Sequence, residues 1–453
     1  MIFKENNPQL IRFKKNLHYI VLILAIFLLP FVDFLKNNIN ETDIILGKSF
    51  YTLIFALSFF LFFLTCIVNF FLTNKDFFKT CLIVVTIYWL AFKHNLLNSF
   101  IKLFFDNFFL IGSEYSSEIS LLILIGVAIY VSILIYKKNL LFKNFLVIFF
   151  YLSFFVSLFH IFNFDQKSNK NDDKINGVKF IDKLNNKKEN IYFFILDGMQ
   201  PIKEFEKHYK LSQKSFLSYI ENNNYKYIHD SSNIYDNTTH SLSALFYLDK
   251  IFDKDYNLKK RSNTLFPTLL RKNNKSDLLN NLDNLGYDFK WIGNFFALCP
   301  KFNLRYCLNE NTNSTIDTYL YINFFRQSPL IQIVTSLGYI FNFDFDKYIY
   351  FNVNDGMRRL TNHISKHQKI LDKPTFYFIH HMSPHWPYLT SEDCSYKKYS
   401  GDKNLEGYKS SYICNLKKVK ETIKILNKFD PNSTVIFQSD HNWVMSKNKK
   451  EKK

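Results

Sequence analysis

Glycine is scarce in this chain, with 11 in 453 residues, far below the roughly 7% of an average protein. Lysine, asparagine, isoleucine and phenylalanine are favoured instead, and Phe alone occurs 52 times. That pattern marks a codon bias toward A and T, so the net charge of +18 is a weak sign of a nucleic-acid partner. A dense basic helix with interleaved stacking aromatics is absent too, and no nucleic acid is expected. No internal repeat is found. The first apolar run has no small-residue cleavage site and more spans follow it, which excludes a removed signal peptide. Charges within the apolar runs are few beyond Asp33, which argues against a transporter.

Long apolar runs fill the first third of the chain. Leu17–Leu35, Phe50–Leu72, Phe77–Phe92, Ile119–Tyr136 and Leu141–Phe162 read as five membrane spans, most of them near the roughly 20 residues a bilayer requires. Leu96–Ile111 is broken by Lys102 and Asp106 and reads as an interfacial amphipathic helix. Lys4, Arg12, Lys14 and Lys15 precede the first run, Lys75 follows the second, and Lys137, Lys138 and Lys143 flank the fourth and fifth. With five crossings these segments share one side, which the positive-inside rule makes cytoplasmic, so everything after Phe162 lies outside. The expected layout is a membrane domain over 1–163, a polar linker over 164–190 and a folded domain over 191–453.

The folded domain alternates short apolar runs with longer amphipathic stretches. Tyr192–Leu196, Phe289–Ile292, Phe376–Ile379 and Thr434–Phe437 read as strands, and Leu242–Leu248, Leu265–Leu270, Asp277–Leu285 and Leu416–Phe429 as helices. That alternation predicts an α/β domain with a mostly parallel sheet covered on both faces.

Four clusters carry candidate chemistry. Ile191 to Leu196 is an apolar strand that delivers Asp197 and Gly198. Ligand sites form at the carboxyl ends of such strands, so Asp197 is either a metal ligand or a helix cap. Thr238-Thr239-His240-Ser241-Leu242 is a hydroxyl-rich turn before a helix, able to hold an anion on its backbone N–H groups or simply to cap the helix. His380, His381 and His385 fall within six positions at the end of another strand, between prolines further on. Val435 to Ser439 then delivers Asp440-His441, a second strand ending in a carboxylate, now with an imidazole beside it. Asp and neutral His both suit a divalent ion.

Cys299, Cys307, Cys394 and Cys414 form two local pairs in the outer domain. Two disulfides, 299–307 and 394–414, fit an oxidising compartment. A four-Cys zinc site lacks the tight C-x-x-C spacing, and four free buried thiols are the remaining alternative.

The order strand-Asp, Thr-x-x-Ser-Leu, Ser-Pro-His-x-Pro-Tyr and Ser-Asp-His resembles the sulfatase-type branch of the alkaline phosphatase superfamily. The membrane-embedded members, phosphoethanolamine transferases and lipoteichoic acid synthases, are the nearest likeness. The resemblance covers essentially the whole chain. It implies an α-helical membrane domain with five spans and an external α/β sandwich. One divalent metal ion (Zn, Mn, Mg or Ca) is then held by Asp197, Asp440, His441 and a nucleophilic Thr238, with Thr239 the fallback. It further implies that His385 binds the substrate's charged group, with His380 and Ser241 supporting it.

Such a protein would sit in the bacterial plasma membrane with its catalytic domain on the periplasmic or extracellular side. It would move a phospho-substituent from a lipid-linked donor to an envelope glycan or lipid. The chain has no Cys-x-Pro-x-Arg motif, which sulfatases use to make formylglycine, so phosphorus chemistry is favoured over sulfate hydrolysis. Asn442 stands where relatives usually have Gly, and the chain stops at Lys453 where relatives continue, so a C-terminal truncation is expected. An ester hydrolase of the same fold and a non-catalytic polymer-binding member are the alternatives.

Overall fold

The computed structural model describes residues 8–38, 48–71, 76–108, 116–137, 140–168, 189–229, 231, 235–248, 276–292, 320–321, 323–330, 347, 351, 355–367, 373–399 and 404–442. The chain divides into two compact units. One is Met1–Asp172 with Asp317–Asn342, the other Asp173–Ile316 with Phe343–Lys453.

The first unit is helical: α1 (Pro8–Asn37), α2 (Lys48–Phe71), α3 (Phe77–Ala91), α4 (His94–Phe108), α5 (Ser116–Tyr136) and α6 (Leu140–Ser168). Tyr19–Asn37, Lys48–Phe71 and Glu118–Tyr136 are each long and apolar enough to cross a membrane. α3 and α4 meet at a 46° bend and together make a fourth candidate, while Asn144–Phe159 of α6 is a shorter apolar stretch. On α2, Phe55, Phe59, Phe63 and Phe70 are exposed at helical spacing; a stripe of that kind suits lipid and not water. Asp33, the charge singled out within the first run, is partnered. It lies 2.5 Å from Lys93 at the α3–α4 bend and accepts a hydrogen bond from Ser157 on α6 at 3.0 Å.

Residues 317–342, read from the sequence as part of the domain over 191–453, belong to this unit. Aromatic packing is the reason. Phe324 is fully buried, 4.6 Å from the Phe31 ring, 4.8 Å from Phe92 and 5.5 Å from Phe34.

The second unit is built on a four-stranded parallel sheet in the order β2-β3-β1-β4, with β1 (Ile191–Leu196), β2 (Asp288–Ile292), β3 (Thr375–His381) and β4 (Thr434–Gln438). All four expected strands are present within one or two residues of their bounds. β1 and β3 are buried almost throughout, which is why they read as unbroken apolar runs.

Alternate side chains of β1 feed two cores. Tyr192, Phe194 and Leu196 join α7 (Ile202–Tyr209), α8 (Lys214–Asn222), α11 (Gly356–His367) and α12 (Leu405–Phe429). Phe193 and Ile195 join α9 (Thr238–Tyr247) and α10 (Asp277–Asn284) on the other face. On α12, Tyr408, Tyr412, Leu416, Val419, Ile423 and Leu426 are buried at the spacing of one helical face. The result is a sheet with helices on both sides. The helices expected at Leu242–Leu248, Asp277–Leu285 and Leu416–Phe429 are found within or close to Thr238–Tyr247, Asp277–Asn284 and Leu405–Phe429; the one at 265–270 lies outside the described residues.

Cys394 and Cys414 are joined in a disulfide, as the sequence predicts for that pair. Cys299 and Cys307 lie outside the described residues. Cys66 and Cys81 are free.

Candidate metal centre

The sheet order explains how distant residues meet. β1 lies between β3 and β4, so the carboxyl ends of these three strands open side by side, and such an end is where α/β sheets bind ligands. Asp197 follows β1, His380 and His381 end β3, and Asp440 and His441 follow β4.

Register sorts the two histidines of β3. His380 pairs with Ile195 and His381 with Leu196, so they point to opposite faces. His380 Nε2 donates to Asp197 Oδ2 at 3.0 Å. His381 Nε2 instead donates to Asn415 Oδ1 on α12 at 3.0 Å.

Hydrogen bonding leaves one free lone-pair atom on each of three side chains. Asp197 Oδ2 is taken by His380, and Oδ1 is buried without a partner. Asp440 Oδ1 accepts from the N–H groups of Gly198 at 3.0 Å and His441 at 2.9 Å, and Oδ2 is buried without a partner. His441 Nδ1 lies 3.0 Å from the Asn442 carbonyl. A carbonyl can only accept, so Nδ1 carries the proton and Nε2 keeps its lone pair when the ring is neutral. That Nε2 lies 3.4 Å from Asp197 Oδ1 and 3.6 Å from Asp440 Oδ2. Two unpaired carboxylate oxygens and the His441 Nε2 therefore converge from two strand ends, an arrangement that suits a cation when the ring is neutral.

The electrostatics agree. Burial would raise the Asp197 carboxyl, but the hydrogen bond from His380, the close approach of His441 and the charges of His385 and His380 outweigh it and hold it well below the usual range. Burial and the Asp197 charge push Asp440 up. Burial opposes a charge on His441, yet its bond to Asp197 and both carboxylate charges lift it to about 9. Without a metal, a proton on His441 is the positive charge the two carboxylates draw in.

The residues fit a divalent ion. Asp197, His385 and His441 each offer a ligand atom within 4.8 Å of the others, and so do Asp197, His380 and Asp440. His380 is the weaker candidate of these, since its Nε2–H is spent on Asp197. It is placed to orient Asp197, as partners of ligating carboxylates do.

His385 sits on a loop after β3, its N–H donating to Met382 O at 2.8 Å and its Nδ1–H to Trp386 O at 2.6 Å. Its ring centre lies 6.1 Å from that of His441. Asn415 Nδ2 donates to Ser383 O, which ties this loop to α12. Gly198, at φ +68°, lies against His441 and His385, which a Cβ would meet at 3.6 and 3.7 Å. The left-handed backbone is what calls for glycine there.

The Thr cluster opens α9. Its cap is Asn237, whose Oδ1 accepts from His240 N and Thr239 Oγ1, both at 2.9 Å. The hydroxyls are thus spared the capping duty one reading gave them. Among the described residues the buried Thr238 makes no side-chain hydrogen bond, and Ser241 Oγ is buried without a partner. No hydrogen bond joins Thr238 or Ser241 to the carboxylates or imidazoles of the strand ends among the described residues.

One neighbour has no motif to announce it. An open cleft of about 330 Å³ borders His385, lined by Phe351, Asp355, His381, Thr390 and Lys418 among others. Lys418 Nζ lies 2.6 Å from Asp355 Oδ2. His381 Nδ1 lies 3.4 Å from Asp355 Oδ1, but burial holds that imidazole down at about 4. The contact is therefore no ion pair at neutral pH.

Comparison with protein-family models, with curated proteins and with solved structures finds no match for the chain.

Proposed function

We propose that this chain is a membrane-anchored, metal-dependent enzyme of the sulfatase-like type. It transfers a phospho-substituent of phosphoethanolamine or phosphoglycerol kind from a lipid-linked donor to an envelope glycan or lipid. The observation that supports it is the convergence of Asp197 Oδ1 and Asp440 Oδ2, both buried without a hydrogen-bond partner, on His441 Nε2, a place where positive charge is drawn in. In this reading the chain crosses the plasma membrane five times and holds its sheet domain on the periplasmic or extracellular side.

Asp197, Asp440 and His441 would hold the metal, with Thr238 as a further ligand. When bound, the ion supplies a positive charge that favours the threonine alkoxide and neutralises the attacked phosphoryl oxygens. His380 keeps Asp197 ionised and oriented. Thr238 Oγ forms the bond to phosphorus as the bond to the donor oxygen breaks, and its proton passes to water. His385, entering as imidazolium, gives a proton to the departing oxygen. An acceptor hydroxyl then takes phosphorus from Thr238, losing its proton to His385 as Thr238 regains one. Water in the acceptor's place makes the protein a hydrolase.

The test uses the full chain in detergent with a radiolabelled phospholipid donor and Mn²⁺ or Zn²⁺. The expected result is metal-dependent label on the protein, chased by acceptor alcohol and abolished in Thr238→Ala. Label that persists in Thr238→Ala and Thr239→Ala refutes the threonine ester, and wild-type protein that binds neither metal refutes the enzyme reading.

A further inference from the structure

We infer that Tyr408 is a positioning residue for the metal centre, acting through the backbone of the turn that carries Asp197. The inference rests on the metal reading above and concerns how that site is held.

The turn between β1 and α7 runs from Asp197 to Ile202. Tyr408, fully buried on α12, reaches it with one hydroxyl used twice. It donates to Gly198 O at 3.1 Å and accepts from Gln200 N at 3.0 Å. One turn along the helix, Tyr412 donates to Gln200 O at 3.1 Å, and Tyr227 accepts from Ile202 N at 3.1 Å. Gly198, whose carbonyl Tyr408 holds, also donates its N–H to Asp440 Oδ1 at 3.0 Å. A single residue therefore lies between the tyrosine and a candidate ligand. It fixes which Asp440 oxygen is occupied and which faces His441.

A phenylalanine would fill the same apolar space at position 408. A buried hydroxyl is costly to desolvate and returns little net stability when bonded. The larger effect of the Tyr408 hydroxyl is therefore geometric: it keeps a left-handed glycine and its two flanking peptides in one orientation. Removing groups that orient ligands costs roughly 10–100-fold in metal affinity.

The experiment titrates the full chain in detergent with Mn²⁺ and with Zn²⁺ by calorimetry. Tyr408→Phe is compared with wild type and with Tyr209→Phe, which removes a hydroxyl from the same aromatic cluster where it bonds only Leu405 O at 3.0 Å. The expected result is at least a tenfold loss of affinity in Tyr408→Phe, no change in Tyr209→Phe, and metal-free melting temperatures that agree between the two. Equal affinities in Tyr408→Phe and wild type overturn the inference and leave the metal centre standing. A loss shared by both variants overturns it as well, since that is the mark of a general packing role. If wild type binds neither metal, the metal reading fails and takes this inference with it. Should Tyr408→Phe not fold, Tyr412→Phe acts on the same turn and carries the same expectations.

Discussion

Acid should loosen the sheet-bearing unit in a defined window, and His381 should set it. The imidazole is fully buried between Asn415 and Asp355. Burial pushes its folded value down to about 4 against the ordinary 6.5, the nearby Asp355 charge offsetting only part of this. A depressed histidine refuses a proton that the unfolded chain accepts. Stability is therefore unaffected above about pH 6.5, falls as pH drops toward 4, and is flat below that for this group. The gap of about 2.5 units, at about 1.4 kcal/mol per unit, gives a loss of roughly 3 kcal/mol. Asp355 lies in a lower window: burial would raise it, but His381 and Lys418 hold it below 3.8, so its contribution is lost only in stronger acid.

The assay is urea unfolding of the full chain at pH 7 and pH 4.5, read by pulsed hydrogen exchange on peptides that span β3. With a slope of about 2 kcal/mol per molar urea, the wild-type midpoint should fall by about 1 M or more. His381→Gln, which retains a donor for Asn415 Oδ1, should lose much less, and the difference between the two isolates the site from other titrating groups. If both lose the same amount, His381 is not the group that titrates.

Two further predictions concern backbone and packing. Gly198→Ala has space for its methyl but must hold φ +68°, so it should cost about 1–2 kcal/mol; an unchanged melting temperature would contradict the left-handed turn. Phe324→Ala removes a fully buried ring from contact with Phe31, Phe34 and Phe92 and should cost the helical unit about 3 kcal/mol or more. Its melting in detergent checks this, and no shift would deny residues 317–342 a packing role.

The strands and the candidate ligands were legible in the sequence for one reason: a strand buried on both faces must be apolar along its length. Where such a run ends in Asp197 or in Asp440-His441, the carboxylate stands out against it. Helices α7, α8 and α11 gave no comparable signal, being 8, 9 and 12 residues long with polar faces. α12 begins at Leu405, well before the apolar stretch at Leu416. Its first turns bury tyrosines whose hydroxyls bond backbone, a pairing only the fold reveals. Asp355, Asn415 and Lys418 belong to no motif, since their partners lie 26 to 63 residues away. The Asn237 cap was hidden for another reason: several of its neighbours are equally good capping residues.

The position of β1 between β3 and β4 also dictates when the centre can exist. As the ribosome extends the chain, the first strand of the sheet appears with both flanks bare, and its neighbour on one side begins only at Thr375. The neighbour on the other side comes later still. No polypeptide that ends before β4 can bring Asp197, Asp440 and His441 together, so assembly of the candidate centre should report on complete synthesis of this sheet.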